Sequence, residues 1–255
     1  MHKNPIFCVI LSAYIVYVSF ILGHFQVQAA NTVQAAASQE GPRYFVKSTS
    51  QFWQKSFGVR HAFENGFTTD LSGIQLTLAK LFGVEVMPVI QLHVLPSLGE
   101  EALDNPVETP GKPVARPAGK NTARPIPSDQ TPWGIETVYN DPAIISTSGG
   151  AGVNVAVLDT GVLKTHLDLK ERVKQCKDFT QARVPVKDGS CDDKHGHGTH
   201  VAGIILADGG ADKLGIYGVA PQAGLLAYKV CGNDGSCWAD DIAAAMRTAA
   251  DNSAN

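Results

Sequence analysis

The chain has 255 residues, enough for one or two domains with a sizeable core, and a formal charge of -3. That balance argues against nucleic acid or a strongly acidic molecule as partner, and no basic groove is visible. Aromatic content of 7%, with 25 glycines and 14 prolines, favours an α/β domain with irregular connections over a helical bundle.

The chain opens with a targeting pattern. Lys3 precedes an apolar run over 6–23, and Val27-Gln28-Ala29 supplies the small residues of a cleavage site, so 1–29 reads as a signal peptide. This predicts secretion without a stable membrane anchor. A retained anchor is the alternative, because the run nearly reaches spanning length.

Residues 30–42 read as a flexible tail, and 43–96 as a small α+β unit. Tyr44-Phe45-Val46 is a short strand, and Asn65-Gly66 signals a turn between Ala62-Phe63 and an extended piece over 67–71. Ser72 and Gln75 form a capping box for a helix over 74–82 that Gly83 ends, and 84–87 returns as a strand. The unit has no catalytic cluster of its own. Prolines 106, 110, 113, 117, 125 and 127 then make 97–127 a linker, open to proteolysis at its lysines and arginines.

From 128 to 255 the pattern is strand, helix, strand, helix, which predicts a parallel sheet. Strands are expected over 153–158 (apolar on both faces, hence central), 173–179 and 224–230, with helices over 197–207 and 239–250. Once Cys8 leaves with the signal, four cysteines remain, and an even count in an exported chain suggests disulfides. Three pairings are possible. Cys176–Cys191 and Cys231–Cys237 are favoured because each pair brackets a polar, turn-rich loop. Closing the first loop is worth roughly 3 kcal/mol. A zinc site of four cysteines is disfavoured by their spacing.

Two motifs carry chemistry. Val155-Ala156-Val157-Leu158-Asp159-Thr160-Gly161 is an apolar strand ending in a carboxylate, where parallel sheets collect reactive groups. His195-Gly196-His197-Gly198-Thr199-His200 opens an apolar helix. A hydroxyl nucleophile needs a base of near-neutral pKa, and that base needs a buried carboxylate to hold its tautomer; His197 and Asp159 have the types and setting for these roles. Alternatively, His195, His197 and His200 approach the histidine run of binuclear zinc hydrolases, although Thr199 stands where that run has an aspartate.

Together these two motifs, followed by Gly218-Val219-Ala220-Pro221, resemble the aspartate and histidine signatures of the subtilisin-like serine proteases. The resemblance implies a parallel-sheet α/β domain in which Asp159 orients the base His197, with His195 lining the substrate cleft and His200 structural. The stretch 229–236 resembles the strand and loop that pair with an extended peptide, so Gly235 and Ser236 would offer backbone hydrogen bonds to protein or peptide substrates. The 43–96 unit is similar to the family's ferredoxin-like inhibitory propeptide, although 46–59 looks too short for its first helix. No cofactor is required for the chemistry. Calcium is implied as a structural ion, with Asp168 and Asp129 as ligands.

The family's Gly-Thr-Ser-Met run and oxyanion asparagine are missing from these residues. The expectation is therefore the N-terminal half of a catalytic domain, inactive alone and with an unpaired sheet edge. A propeptide-bearing pseudoprotease that inhibits or chaperones a related enzyme is the non-enzymatic alternative.

Overall fold

The computed structural model describes residues 42–94, 127–182, 184–252 and 254. The expected signal segment 1–29, the tail that follows it and nearly all of the linker lie outside the described residues.

Alternation along β1 (Arg43–Val46) gives the strand two faces. Tyr44 and Val46 pack with Trp53, Phe57, Phe67 and Leu76 in a small core, while Arg43 and Phe45 face the other way. Contrary to expectation, the stretch after β1 does hold a helix, α1 (Gln51–Phe57). Two turns suffice because Trp53 stacks on Phe57 at 5.0 Å and on Phe82 at 5.8 Å. Strands β2 (Ala62–Phe63) and β3 (Gly66–Asp70) form a hairpin in which Phe63 faces Gly66. The turn is thus Glu64-Asn65, one residue earlier than the sequence signal. Gly66 already lies in the strand, where a Cβ would sit 2.3 Å from the Val46 carbonyl oxygen. Helix α2 (Gly73–Leu81) starts at Ser72 with the expected capping box, and β4 (Val86–Pro88) pairs with the free side of β1. The antiparallel sheet runs β2-β3-β1-β4. Next, β5 (Gln91–His93) leaves this sheet and pairs antiparallel with β10 (Ser236–Trp238).

The second part begins with α3 (Trp133–Tyr139), a short helix that no periodicity announced. Its sheet runs β6-β9-β7-β8, with β6 (Asn154–Asp159), β7 (Val173–Asp178), β8 (Lys187–Asp188) and β9 (Gly224–Lys229). Strands β6 and β7 run parallel to β9, and β8 is antiparallel to β7. Among the described residues β9 is central and buried at every position, while β6 lies at an edge. The expectation of a central β6 is corrected accordingly: of the strands described here, β9 alone pairs with β6.

Helices cover both faces of this sheet. α4 (His197–Leu206) packs Ala202 and Leu206 on Val157, Leu225 and Ala227. α5 (Ala239–Asp251) packs Ala245 and Ala249 on Leu226 and Tyr228. A buried polar knot ties β1 to α5: Arg43 Nη1 donates to Asp241 Oδ1 at 2.7 Å and Asp240 Oδ1 at 3.1 Å, and His61 Nε2 meets Asp241 Oδ1 at 2.8 Å. The described residues form one compact unit. Both favoured disulfides are present, Cys176–Cys191 and Cys231–Cys237.

Candidate active site

Strand β6 delivers Asp159 to its carboxyl end, where the residue is 8% exposed. Helix α4 delivers His197 as its first residue, with Gly196 as N-cap. The two side chains meet: His197 Nδ1 lies 2.8 Å from Asp159 Oδ1 and 2.9 Å from Oδ2. Asp159 Oδ1 also accepts the Thr160 N–H at 2.7 Å, which fixes the carboxylate plane. Such close approach of helix to strand needs Gly198, whose Cβ would stand 2.3 Å from the Gly161 carbonyl oxygen and 3.1 Å from Asp159 Cβ. With Nδ1 committed to the carboxylate, Nε2 is the nitrogen that remains to take a proton.

Lys229 and Asp193 belong to this site and were not singled out from the sequence. Lys229, 7% exposed, sends Nζ to the Thr160 carbonyl oxygen at 2.6 Å and to Asn233 Oδ1 at 3.3 Å. Burial lowers its pKa against the opposing pull of Asp178, Asp193, Asp159 and Asp192. Asp193 collects hydrogen bonds from Thr160, Gly196 and Thr199. The only sequence signal for either was a charge beside a motif, and most such charges are solvated.

The remaining expected residues divide. The His195 ring lies 6.2 Å from that of His197 and borders Gly235. Gly235 accepts the Val94 N–H at 2.9 Å and Ser236 pairs with His93, so this chain's own 91–94 segment lies along the edge expected to bind peptide. His200 is exposed and lines an apolar cavity of about 840 Å³ between α3 and α4, beside Trp133, Val138 and Ile204.

The histidine run does not converge as a zinc site would require. Among the described residues the group whose ligand atoms lie within 4.8 Å of one another is His61, Asp240 and Asp241. Of the expected calcium ligands, Asp168 is buried and Oδ2 accepts the Ile216 N–H at 3.2 Å. Asp129 turns to its own chain and accepts the Thr131 N–H. Gln130, missed by sequence, reaches the carbonyl oxygens of Lys213 and Gly215 instead.

A buried carboxylate grips one nitrogen of a partly exposed imidazole at a parallel strand's end, an arrangement that can hold the ring's tautomer and leave Nε2 facing outward. Comparison agrees with the geometry. The model of the subtilase family, peptidase S8, matches residues 150–255. A subtilisin of Bacillus sp. (strain TA39) is 43% identical over 241 residues, covering 92% of this chain and 53% of that protein. Subtilisin BL of Lederbergia lenta is 40% identical over 125 residues, 49% of this chain and 43% of that one. Among solved structures, Sphericase shares 59% identity over 49% of this chain and 40% of its own, with a TM-score of 0.48. Residues 150–255 thus belong to the subtilase family. The chain spans about half the length of the curated relatives it matches.

Proposed function

We propose that this chain carries the acid and base of an exported subtilisin-like serine endopeptidase, together with that enzyme's inhibitory propeptide. The observation that carries this reading is the Asp159–His197 pair at 2.8 Å, at the end of a parallel strand and the start of a helix. In the proposed reaction His197 Nε2 takes the proton of a serine hydroxyl as the oxygen bonds to the scissile carbonyl carbon. The same proton then passes to the leaving amine as the C–N bond breaks. Asp159 stays ionised and stabilises the imidazolium between these steps. The 255 residues hold no Gly-Thr-Ser-Met run, so in this reading the chain assayed by itself is expected to be inactive.

The 42–94 layer has the β–α–β–β–α–β order and β2-β3-β1-β4 sheet of a ferredoxin-like unit. Its last strand pairs with the edge that would hold a protein substrate, which supports its role as inhibitory propeptide. Two disulfides suit an oxidising, extracellular setting, and no helix among the described residues is long and apolar enough to cross a membrane.

A calcium ion fits beside Asp168. The donors that gather there are oxygens: its carboxylate, the carbonyls of Lys213 and Gly215, and the Gln130 amide once rotated to face its oxygen inward. Bound there, calcium supplies charge compensation and a cross-link between the 213–216 loop and the body; no step of the chemistry uses it.

The test is to co-express this chain with the portion of the Bacillus subtilisin beyond the matched region and assay casein hydrolysis. Activity is expected from the pair and from neither piece alone. His197→Ala and Asp159→Asn should each lower it by about a thousandfold or more. Hydrolysis by the 255-residue chain alone, or activity indifferent to His197→Ala, would sink the reading.

A further inference from the structure

We propose that Asp193 is a positioning residue, holding the end of β6 and the start of α4 in one hydrogen-bond knot that sets His197 on Asp159. The inference rests on the acid–base reading above and deepens it.

Asp193 stands three residues before the helix N-cap, and it accepts five donors. Oδ1 takes the Thr160 hydroxyl at 2.9 Å, the His195 N–H at 3.0 Å and the Gly196 N–H at 2.8 Å. Oδ2 takes the Thr199 N–H at 2.9 Å and the Thr199 hydroxyl at 2.5 Å. Burial pushes this carboxyl's pKa up, but the Thr199 hydroxyl, the Gly196 and Thr199 N–H groups and the Thr160 hydroxyl outweigh it and hold the group below the usual carboxylate range. An ionised carboxylate only accepts, so both threonines must point their protons at it.

That direction has a consequence on each side of the seam. Thr160, on the strand side, is left with a lone pair that accepts the Gly198 N–H of the helix at 2.9 Å. Thr199, on the helix side, accepts the Leu163 N–H of the post-strand loop at 2.9 Å. One carboxylate therefore orients two reciprocal links, and both flank the residues that bring His197 to Asp159. An ordinary helix cap would satisfy one or two N–H groups and link nothing to the strand. Asparagine at 193 is isosteric but must present an NH₂ to one side. The facing threonine then has to accept that N–H or lose its partner, and one of the two links is disordered.

The experiment is nitrogen NMR of the His197 ring in the full 255-residue chain, labelled at histidine. In the native chain the neutral ring carries its proton on Nδ1. In Asp193→Asn the ratio of Nδ1–H to Nε2–H forms should fall about tenfold, the scale of one lost hydrogen bond. Asp192→Asn removes a neighbouring charge whose carboxylate pairs with Lys164 at 3.6 Å, and should leave the ratio unchanged. Thr160→Val should reproduce the loss and Thr160→Ser restore the native ratio, which decides the matter if Asp193→Asn unfolds. An unchanged ratio in Asp193→Asn, or equal effects at 192 and 193, overturns the inference while the acid–base reading stands. A native ring without the Nδ1 proton overturns both.

Discussion

The Val94 N–H donates to the Gly235 carbonyl oxygen at 2.9 Å, which seats the end of the α+β layer against the loop that borders His195. Gly235 has φ +80°, and a Cβ there would stand 2.8 Å from Val94 Cγ2 and 3.1 Å from His195 Nε2. Gly235→Ala should therefore weaken the β5–β10 pairing by roughly 1 kcal/mol or more. Hydrogen exchange at the Val94 and Ala239 amides, which donate to the Gly235 and Ile90 carbonyl oxygens, should speed up correspondingly. Unaltered exchange would mean that the pairing does not persist in solution.

Asp241 carries a pH signature. Burial is the largest influence and raises its pKa, the His61 and Arg43 contacts oppose it, and Asp240 adds to the rise. A carboxyl whose folded pKa exceeds its unfolded value favours the fold when protonated. Its stabilisation is complete below the unfolded pKa and is lost as pH rises through the folded one. Relative to Asp241→Asn, the native chain should lose stability as pH climbs through that window, by at most about 1.4 kcal/mol per pH unit. Urea midpoints of the two proteins across a pH series give the difference directly. A flat difference would contradict the assignment.

Lys229 Nζ donates to the Thr160 carbonyl oxygen at 2.6 Å, and Thr160 is fully buried. Lys229→Met keeps the length of the side chain and strips the donor, so a loss of about 1–3 kcal/mol is expected. Chemical denaturation at neutral pH measures it. A stabilised variant would show that dehydrating the ammonium outweighs its hydrogen bonds.

The Cys176–Cys191 bridge closes a 15-residue separation around the β7–β8 hairpin. Replacing both cysteines by serine should cost roughly 3 kcal/mol through greater freedom of the unfolded chain. A denaturation midpoint matching the native one would assign that loop's order to the sheet alone.

Much of this protein was legible in the order of its residues. Ser72 and Gln75 announced the start of α2, and the 154–159 and 197–206 patterns announced the strand and helix that carry Asp159 and His197. The bracketing of polar loops picked the right cysteine pairs. These signals are local: capping, apolar period and short-range loop closure are written within a few residues of where they act. Helix α1 escaped because two turns give too little period to read, and aromatic stacking with Phe82, far along the chain, stabilises it.

What sequence alone determined, then, is which residue types stand at the end of a strand and the start of a helix. Only the tertiary structure decided that β9 lies between β6 and β7, that the 91–93 strand lies along β10, and that Asp193 and Lys229 close around Thr160. Each of those is a meeting of segments far apart along the chain. Backbone hydrogen bonding will pair any two strands of suitable length, and a charge gains a structural role only once folding has removed water and left specific partners in reach.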